Sequence, residues 1–438
     1  MTMKPKNRPK DTHNRDLFRP LLCDIINPDH ELTRLTDLID WSQFDSWSDL
    51  FPSKTGRPAT APRLIAGLFY LQHLYGHSDE GVLEAYLQSP YYQHFCGRVY
   101  FEYDLPIDPS SLVRWRKRLG VKEIEKLLHA SIRAALNANM VSTKSFKEVI
   151  VDTTVMEKAI TYPTDSKLIE KARQKLVKQA DAEGVQLRQN YNRVGPRLAI
   201  KTARYAHARQ FKRMRASLKK QRSRLGRIIR DIERKASELS PQMAALIALA
   251  KRVKEQQPKD KNKCYSLHAP EVKCIAKGKA RQPYEFGTKV SVSTTLKEGL
   301  VVGMKNLPHN PYDGHSLAQA IEQTQQLTKQ SVEKVFVDKG YRDHAVTDTE
   351  VYIAGQRRGM TASLKKKLKR RSAIEPTIGH MKTEGRLNRC SLKGEQGDSV
   401  FALLCGAGHN LRLLLKFLRE LFFAWIFGWQ MRKLASTY

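Results

Sequence analysis

The sequence has no CxxC pair, and its six cysteines (Cys23, Cys96, Cys264, Cys274, Cys390 and Cys405) are scattered along the chain. Their spacing excludes a zinc knuckle and a disulfide framework, and the thiols are expected to be reduced, in a cytoplasm. Residues 1–16 form a hydrophilic, basic arm without an apolar h-region, so no secretory leader is expected and the arm is expected to be disordered,. A membrane span would need ~20 consecutive apolar residues. The greasy tract from Phe401 to Trp429 is broken by Arg412, Lys416, Arg419 and Glu420, so a buried core helix and no membrane are expected. No internal repeat is visible. Acid is also scarce, with 44 Asp plus Glu against 77 Lys plus Arg, a formal charge of +33. Such a chain repels itself at low salt unless an anionic partner offsets the charge, and nucleic acid fits that role better than a membrane surface. The 438 residues, 41% of them apolar, exclude a disordered chain and suffice for two or three domains with a real core,.

Residues 17–143 are helical in pattern, an all-α N-terminal domain expected to bind DNA. Pro62 opens the helix Arg63 to Leu71, Ser78-Asp79-Glu80 caps the next, and Pro109-Ser110-Ser111 caps a third that ends at Gly120,. That third helix carries Arg114, Arg116, Lys117 and Arg118 around Trp115. A recognition helix of a helix-turn-helix looks like this. So does an ordinary amphipathic helix that faces the core through Leu112, Trp115 and Leu119.

The stretch Glu148-Val149-Ile150-Val151-Asp152 changes the pattern. Three β-branched apolar residues running straight into a carboxylate predict a buried strand that delivers Asp152 to its exposed end,. The pattern recurs at Glu333-Lys334-Val335-Phe336-Val337-Asp338. Between them, residues 166–265 hold 28 Lys plus Arg against 8 Asp plus Glu, a net of +20, with helical spacing. This basic insertion is expected to contact phosphates. Tyr284 to Ser293 and Gly299 to Met304 then read as a hairpin around Lys297-Glu298, Leu317 to Leu327 as a helix, Val351 to Ala354 as a strand, and the chain from Ser372 as helical again,. With the insertion set aside, that order predicts an α/β fold, a mixed sheet of ribonuclease H-like order over residues 144–438.

Carboxylates that converge from separate elements are the ligands hard divalent cations take, and a pair of such cations can activate a water or 3′-hydroxyl against a phosphodiester. Asp152 and Asp338 are the first two candidates, and Glu375 is the third. On a helix, Arg371, Glu375 and Lys382 share about a 40° arc, a carboxylate beside two cations for phosphate. Pro376 disfavours helical geometry at Glu375, so the helix is expected to start near there. Glu375 also completes a possible capping box, Ser372-Ala373-Ile374-Glu375. Asp313, in Asn310-Pro311-Tyr312-Asp313-Gly314-His315, is most simply a turn residue, Asp343 is a loop acid, and His309, His315 and His380 are too dispersed for a zinc site.

Taken together, Asp152-Thr153-Thr154-Val155 with Glu157-Lys158, Tyr162-Pro163-Thr164-Asp165, Val337-Asp338-Lys339-Gly340-Tyr341 and the run Arg371 to Lys382 resemble the DDE transposases of bacterial insertion sequences, in the IS-five group. The resemblance covers roughly residues 45–412. It implies a ribonuclease H-like catalytic domain, two Mg²⁺ ions (Mn²⁺ as substitute) on Asp152, Asp338 and Glu375, and Arg371 and Lys382 on transposon-end phosphates. It further implies cleavage at terminal inverted repeats, strand transfer into target DNA, and a homodimer or higher assembly on DNA. The family's signature expects Tyr where Leu368 stands, and the resemblance leaves open for Asp313 a role in supporting the metal-holding acids. A nuclease or resolvase that cuts without joining, and a non-catalytic DNA-binding derivative, are the competing readings.

Overall fold

A computed structural model of the chain describes residues 19–51, 59–236, 238–276 and 283–435, with side chains as far as residue 421. The expected disordered arm lies outside the described residues. In chain order the elements are α1 (Leu22–Ile25), α2 (Glu31–Leu38), a 3₁₀ segment (Trp41–Leu50), α3 (Pro62–Tyr75), α4 (Asp79–Gln88), α5 (Pro90–Phe95), α6 (Pro109–Asn137) and β1 (Glu148–Glu157). Four helices follow, α7 (Asp165–Ala182), α8 (Val194–His207), α9 (Phe211–Lys235) and α10 (Pro241–Glu255). Then come β2 (Lys273–Ala276), β3 (Tyr284–Thr295), β4 (Val301–Leu307), α11 (Asp313–Thr328), β5 (Lys334–Val337), β6 (Glu350–Ile353), α12 (Ala362–Arg370), α13 (Ile374–Thr383) and α14 (Gly394–Ala435). The chain divides into two compact units, residues 158–288 and the remainder, so β3 begins in one and ends in the other.

In the larger unit the sheet runs β4-β3-β1-β5-β6. The β3–β4 hairpin is antiparallel, whereas β1 pairs with β5, and β5 with β6, in parallel. The fold is thus mixed α/β, as the order of elements predicts. The N-terminal helices and the sheet share one hydrophobic core, from Leu32 and Phe69 through Val149 and Phe336 to Leu418. The boundary expected near residue 143 therefore does not separate two cores. The reason is α14: it packs against α3, α6, β4 and α13. Its Gly394–Leu421 stretch is long and apolar enough to cross a membrane, yet 78% of its most apolar window is buried, as in a core helix.

Helix α6 contains the break expected at Gly120, whose φ of 65° and ψ of −169° no helix supports. Asp108 caps its start by accepting from the Ser110 amide at 2.8 Å,.

The smaller unit has its own core. Leu168, Ile169 and Leu176 of α7, Leu225, Ile228, Ile229 and Ile232 of α9 and Met243, Ile247 and Val253 of α10 are buried together. The basic insertion is therefore an amphipathic bundle rather than a set of free-standing helices. Helix α8 joins it through polar contacts: the Thr202 and Ser217 hydroxyls lie 2.7 Å apart, and the Gln221 amide donates to Thr202 Oγ1 at 2.7 Å. At the other end of the unit, β2 adds antiparallel to the first residues of β3.

Candidate active site

The register of β1 on β5 pairs Glu148 with Lys334, Val149 with Val335 and Ile150 with Phe336. The same offset two residues further on sets Asp152 opposite Asp338, one inter-strand spacing away, ~5 Å. Asp152 is not at the end of its strand, as its sequence suggests; β1 continues to Glu157. The end that exposes Asp152 is that of its neighbour, because β5 stops at Val337.

Each aspartate is fixed by the backbone beside it. The Thr153 amide donates to Asp152 Oδ1 at 2.7 Å. Asp338 caps the short 3₁₀ turn Lys339–Tyr341 by accepting from the Gly340 amide at 2.8 Å. A third carboxylate reaches the same place from the first turn of α11. Asp313 Oδ1 accepts from Thr153 Oγ1 at 3.0 Å and from Lys289 Nζ at 3.1 Å, and Lys289 is fixed in turn by Pro311 O at 2.8 Å. Gly340 shows how close the two loops come, since a Cβ there would lie 3.0 Å from Asp338 Oδ1 and 3.3 Å from Asp313 Oδ2.

Crowding has an electrostatic consequence. Burial, reinforced by the charges of Asp338 and Asp313, pushes the Asp152 carboxyl up to about 6, against the opposing pull of the Thr153 amide and Arg371,. Beneath the acids, fully buried Tyr341 has its hydroxyl held far above its ordinary value by burial and then by the same three aspartates.

Arg371 joins this cluster to Glu375. Its guanidinium donates to Asp152 Oδ2 at 3.5 Å and lies 3.7 Å from Glu375 Oε1. Glu375 sits in the first turn of α13 with its side chain 64% exposed. The capping box is not formed: the Ser372 hydroxyl donates to Lys369 O, and no side chain caps the start of α13. Lys382 follows on α13, half-buried. Leu368 is partly buried against the core and lines a hollow of about 330 Å³ with Lys365, Lys369 and Arg371.

Carboxylate oxygens are the donors that hard divalent cations take, and a cation is what would relieve the repulsion on Asp152. In donor chemistry the cluster fits such an ion. Among the described residues no three His, Cys, Asp or Glu close into a metal-binding group, and Glu375 rests on Arg371 instead.

Arg116 is a correction. It is buried, with its guanidinium forked onto Asp79 (Nη1 to Oδ1 3.0 Å), donating to Gln72 and stacked over Phe69. A guanidinium so engaged is structural and unavailable to DNA. Arg114, Lys117 and Arg118 are exposed, Arg118 lying over the Phe51 ring.

Residues 21–118, the helices α1 to α5 and the start of α6, match the family described as Transposase domain (DUF772). A curated protein of Rhizobium meliloti, the uncharacterized protein ORF8 in the nfe locus, is 48% identical over 209 residues, which is 48% of this chain and 100% of that protein. The chain belongs to the same family as this rhizobial protein, and its residues 21–118 match a transposase-type domain. No solved structure matches. The family match falls on the helical region, outside the acid cluster, so the two observations are independent of each other.

Sequence reasoning underrated Asp313. An Asp before Gly at a helix start carries the local signal of a turn, and its partners Thr153 and Lys289 come from strands remote in sequence.

Proposed function

We propose that the chain is an insertion-sequence transposase of the DDE type, in the IS-five group, with a ribonuclease H-like catalytic sheet. It binds terminal inverted repeats, cleaves the element ends and joins them to target DNA. The observation that carries this reading is the placement of Asp338, just past the end of β5, beside Asp152 on the adjacent parallel strand β1, with the Asp152 carboxyl raised by burial and by the aspartates around it. Asp152 and Asp338 would hold Mg²⁺ or Mn²⁺, and Glu375 would complete the set once it leaves Arg371. Bound there, such an ion would supply activation of an attacking water or 3′-hydroxyl and charge stabilisation for the leaving oxygen.

The chain's own groups supply the rest. Lys289 and the Thr153 hydroxyl hold Asp313 in place beside Asp338. Arg371 neutralises Asp152 and Glu375 while no DNA is bound; with DNA in place it turns to the phosphate, and Lys382 on the next helix supplies a second cation. Arg114, Lys117 and Arg118 are the exposed cations of the transposase-domain helix and would contact the backbone of the DNA end.

Asp152→Asn, Asp338→Asn and Glu375→Gln are each expected to abolish cleavage and joining of an element-end duplex while leaving its binding intact. Near-full cleavage by either aspartate variant would overturn the proposal. A 3′-hydroxyl end that is cut yet never joined would place the protein among nucleases or resolvases instead.

A further inference from the structure

The helical unit carries a feature that the acid cluster does not use. From Gly184 to Arg230 the chain has fifteen Lys plus Arg and no Asp or Glu. A helix face that is merely solvated mixes both signs, because i,i+4 pairs of opposite charge stabilise it and like pairs destabilise it. Nothing here softens the repulsion from within. Acids resume at Asp231 and Glu233, and both are already paired, with Arg234 and with Lys251.

The cations are also arranged. Taking 100° per residue, Lys212, Arg213, Lys219, Lys220, Arg227 and Arg230 of α9 fall within about a 120° arc. The buried residues Leu225, Ile228, Ile229 and Ile232 occupy the opposite side. All six cations are exposed, and none forms an ion pair among the described residues. They span ~27 Å of helix, close to one ~34 Å turn of duplex DNA. Along that turn the duplex offers a phosphate charge about every 1.7 Å. Helix α8 adds Arg197, Lys201 and Arg204, exposed at offsets of four and seven residues.

We infer that the outward face of α9, with α8 beside it, is a phosphate-contacting surface for duplex DNA, one that grips the backbone without reading sequence. Between Lys212 and Arg230 the face carries, besides its cations, only the small side chains of Ala216 and Ser223 and no Asn or Gln to read base edges, which points to backbone contact,. This inference rests on the transposase reading for its choice of DNA over other polyanions, and on the charge pattern alone for the surface.

The test uses the full chain and a random-sequence duplex of about 30 bp, with affinity measured from about 50 to 300 mM KCl. The variant replaces Lys212, Arg213, Lys219, Lys220, Arg227 and Arg230 with Gln. Each lost contact flattens the plot of log affinity against log salt by about 0.9, so the slope should fall by at least about 2 and up to about 5. An unchanged slope in a variant with unaltered circular dichroism and melting temperature overturns the inference. A smaller set, Arg213→Gln, Lys219→Gln and Lys220→Gln, should give a proportionate fall should the larger set misfold. Tighter binding of an RNA duplex of the same length, or of anionic lipid vesicles, would overturn the choice of DNA. Asp152→Asn, measured in parallel, separates the two proposals. If it keeps the salt slope and loses cleavage while the six-residue variant keeps its slope, only the basic surface fails. If Asp152→Asn still cleaves and the six-residue slope falls, only the catalytic reading fails.

Discussion

The two units use charge in opposite ways. In the larger one, three aspartates from β1, from the end of β5 and from the start of α11 are brought within reach of one another and partly withdrawn from water, so that Asp152 is pushed up to about 6. In the smaller one, cations are spread along one helix face and left in water, where no single one matters much. A site for chemistry depends on register and burial; a surface for a polyanion depends on charge density. Substitutions should therefore act sharply in the first unit and additively in the second.

The largest expected effect is on catalysis. Removing one charged ligand at Asp152 or Asp338 gives up several kcal/mol of transition-state stabilisation, a rate loss of about a thousandfold or more. Glu375→Gln should match them if the glutamate completes the site, which single-turnover cleavage would measure.

Next is Arg116. Its loss leaves Asp79 without its guanidinium beside a buried face, a destabilisation of about 3 kcal/mol, whereas Arg114→Ala and Lys117→Ala should each stay within about 0.5 kcal/mol. Urea denaturation of the three variants checks this, and equal effects would mean that Arg116 is a surface residue after all.

The pH dependence is smaller. A carboxyl raised above its ordinary 3.8 holds its proton more tightly in the folded chain. Its stabilising contribution is therefore complete below that value and is lost as pH rises through about 6,. Asp152→Asn should flatten this loss and leave the metal-free protein more stable at pH 8, by ~1–3 kcal/mol. Melting temperatures across the pH range report it, and a variant less stable than the parent at pH 8 would show that Asp152 is not crowded.

Smallest is Gly340→Ala. Its Cβ would approach Asp338 and Asp313 at 3.0 and 3.3 Å, so a loss of about 1 kcal/mol is expected, with a larger fall in cleavage than in stability,.

Much of this was legible in the sequence and some was not, for definite reasons. The apolar runs before Asp152 and Asp338 announce strands, and the helical spacing of the insertion announces helices; both depend only on near neighbours. The pairing of β1 with β5 depends on residues 186 apart, as Glu148 and Lys334 are, and no local pattern encodes it. Asp152 was misplaced to a strand end because the run Val149 to Val151 stops there, while Thr153 to Glu157 continues the strand with Thr154, Val155 and Met156 buried. The inward turn of Arg116 was available: at 100° per residue it lies about 40° from Leu112, on the apolar side. Its charge concealed this, since only Asp79 from another helix makes burial affordable. The hold of Arg371 on both Asp152 and Glu375 was half visible, in the i,i+4 spacing to Glu375.

The central claim is that strand register makes Asp152 and Asp338 a divalent-metal site. Titrating the full-length protein with Mn²⁺ by calorimetry at neutral pH, in parallel with Asp152→Asn and Asp338→Asn, tests it without recourse to activity. The account predicts binding to the parent chain that either substitution removes; parent-like Mn²⁺ binding in both variants would contradict it.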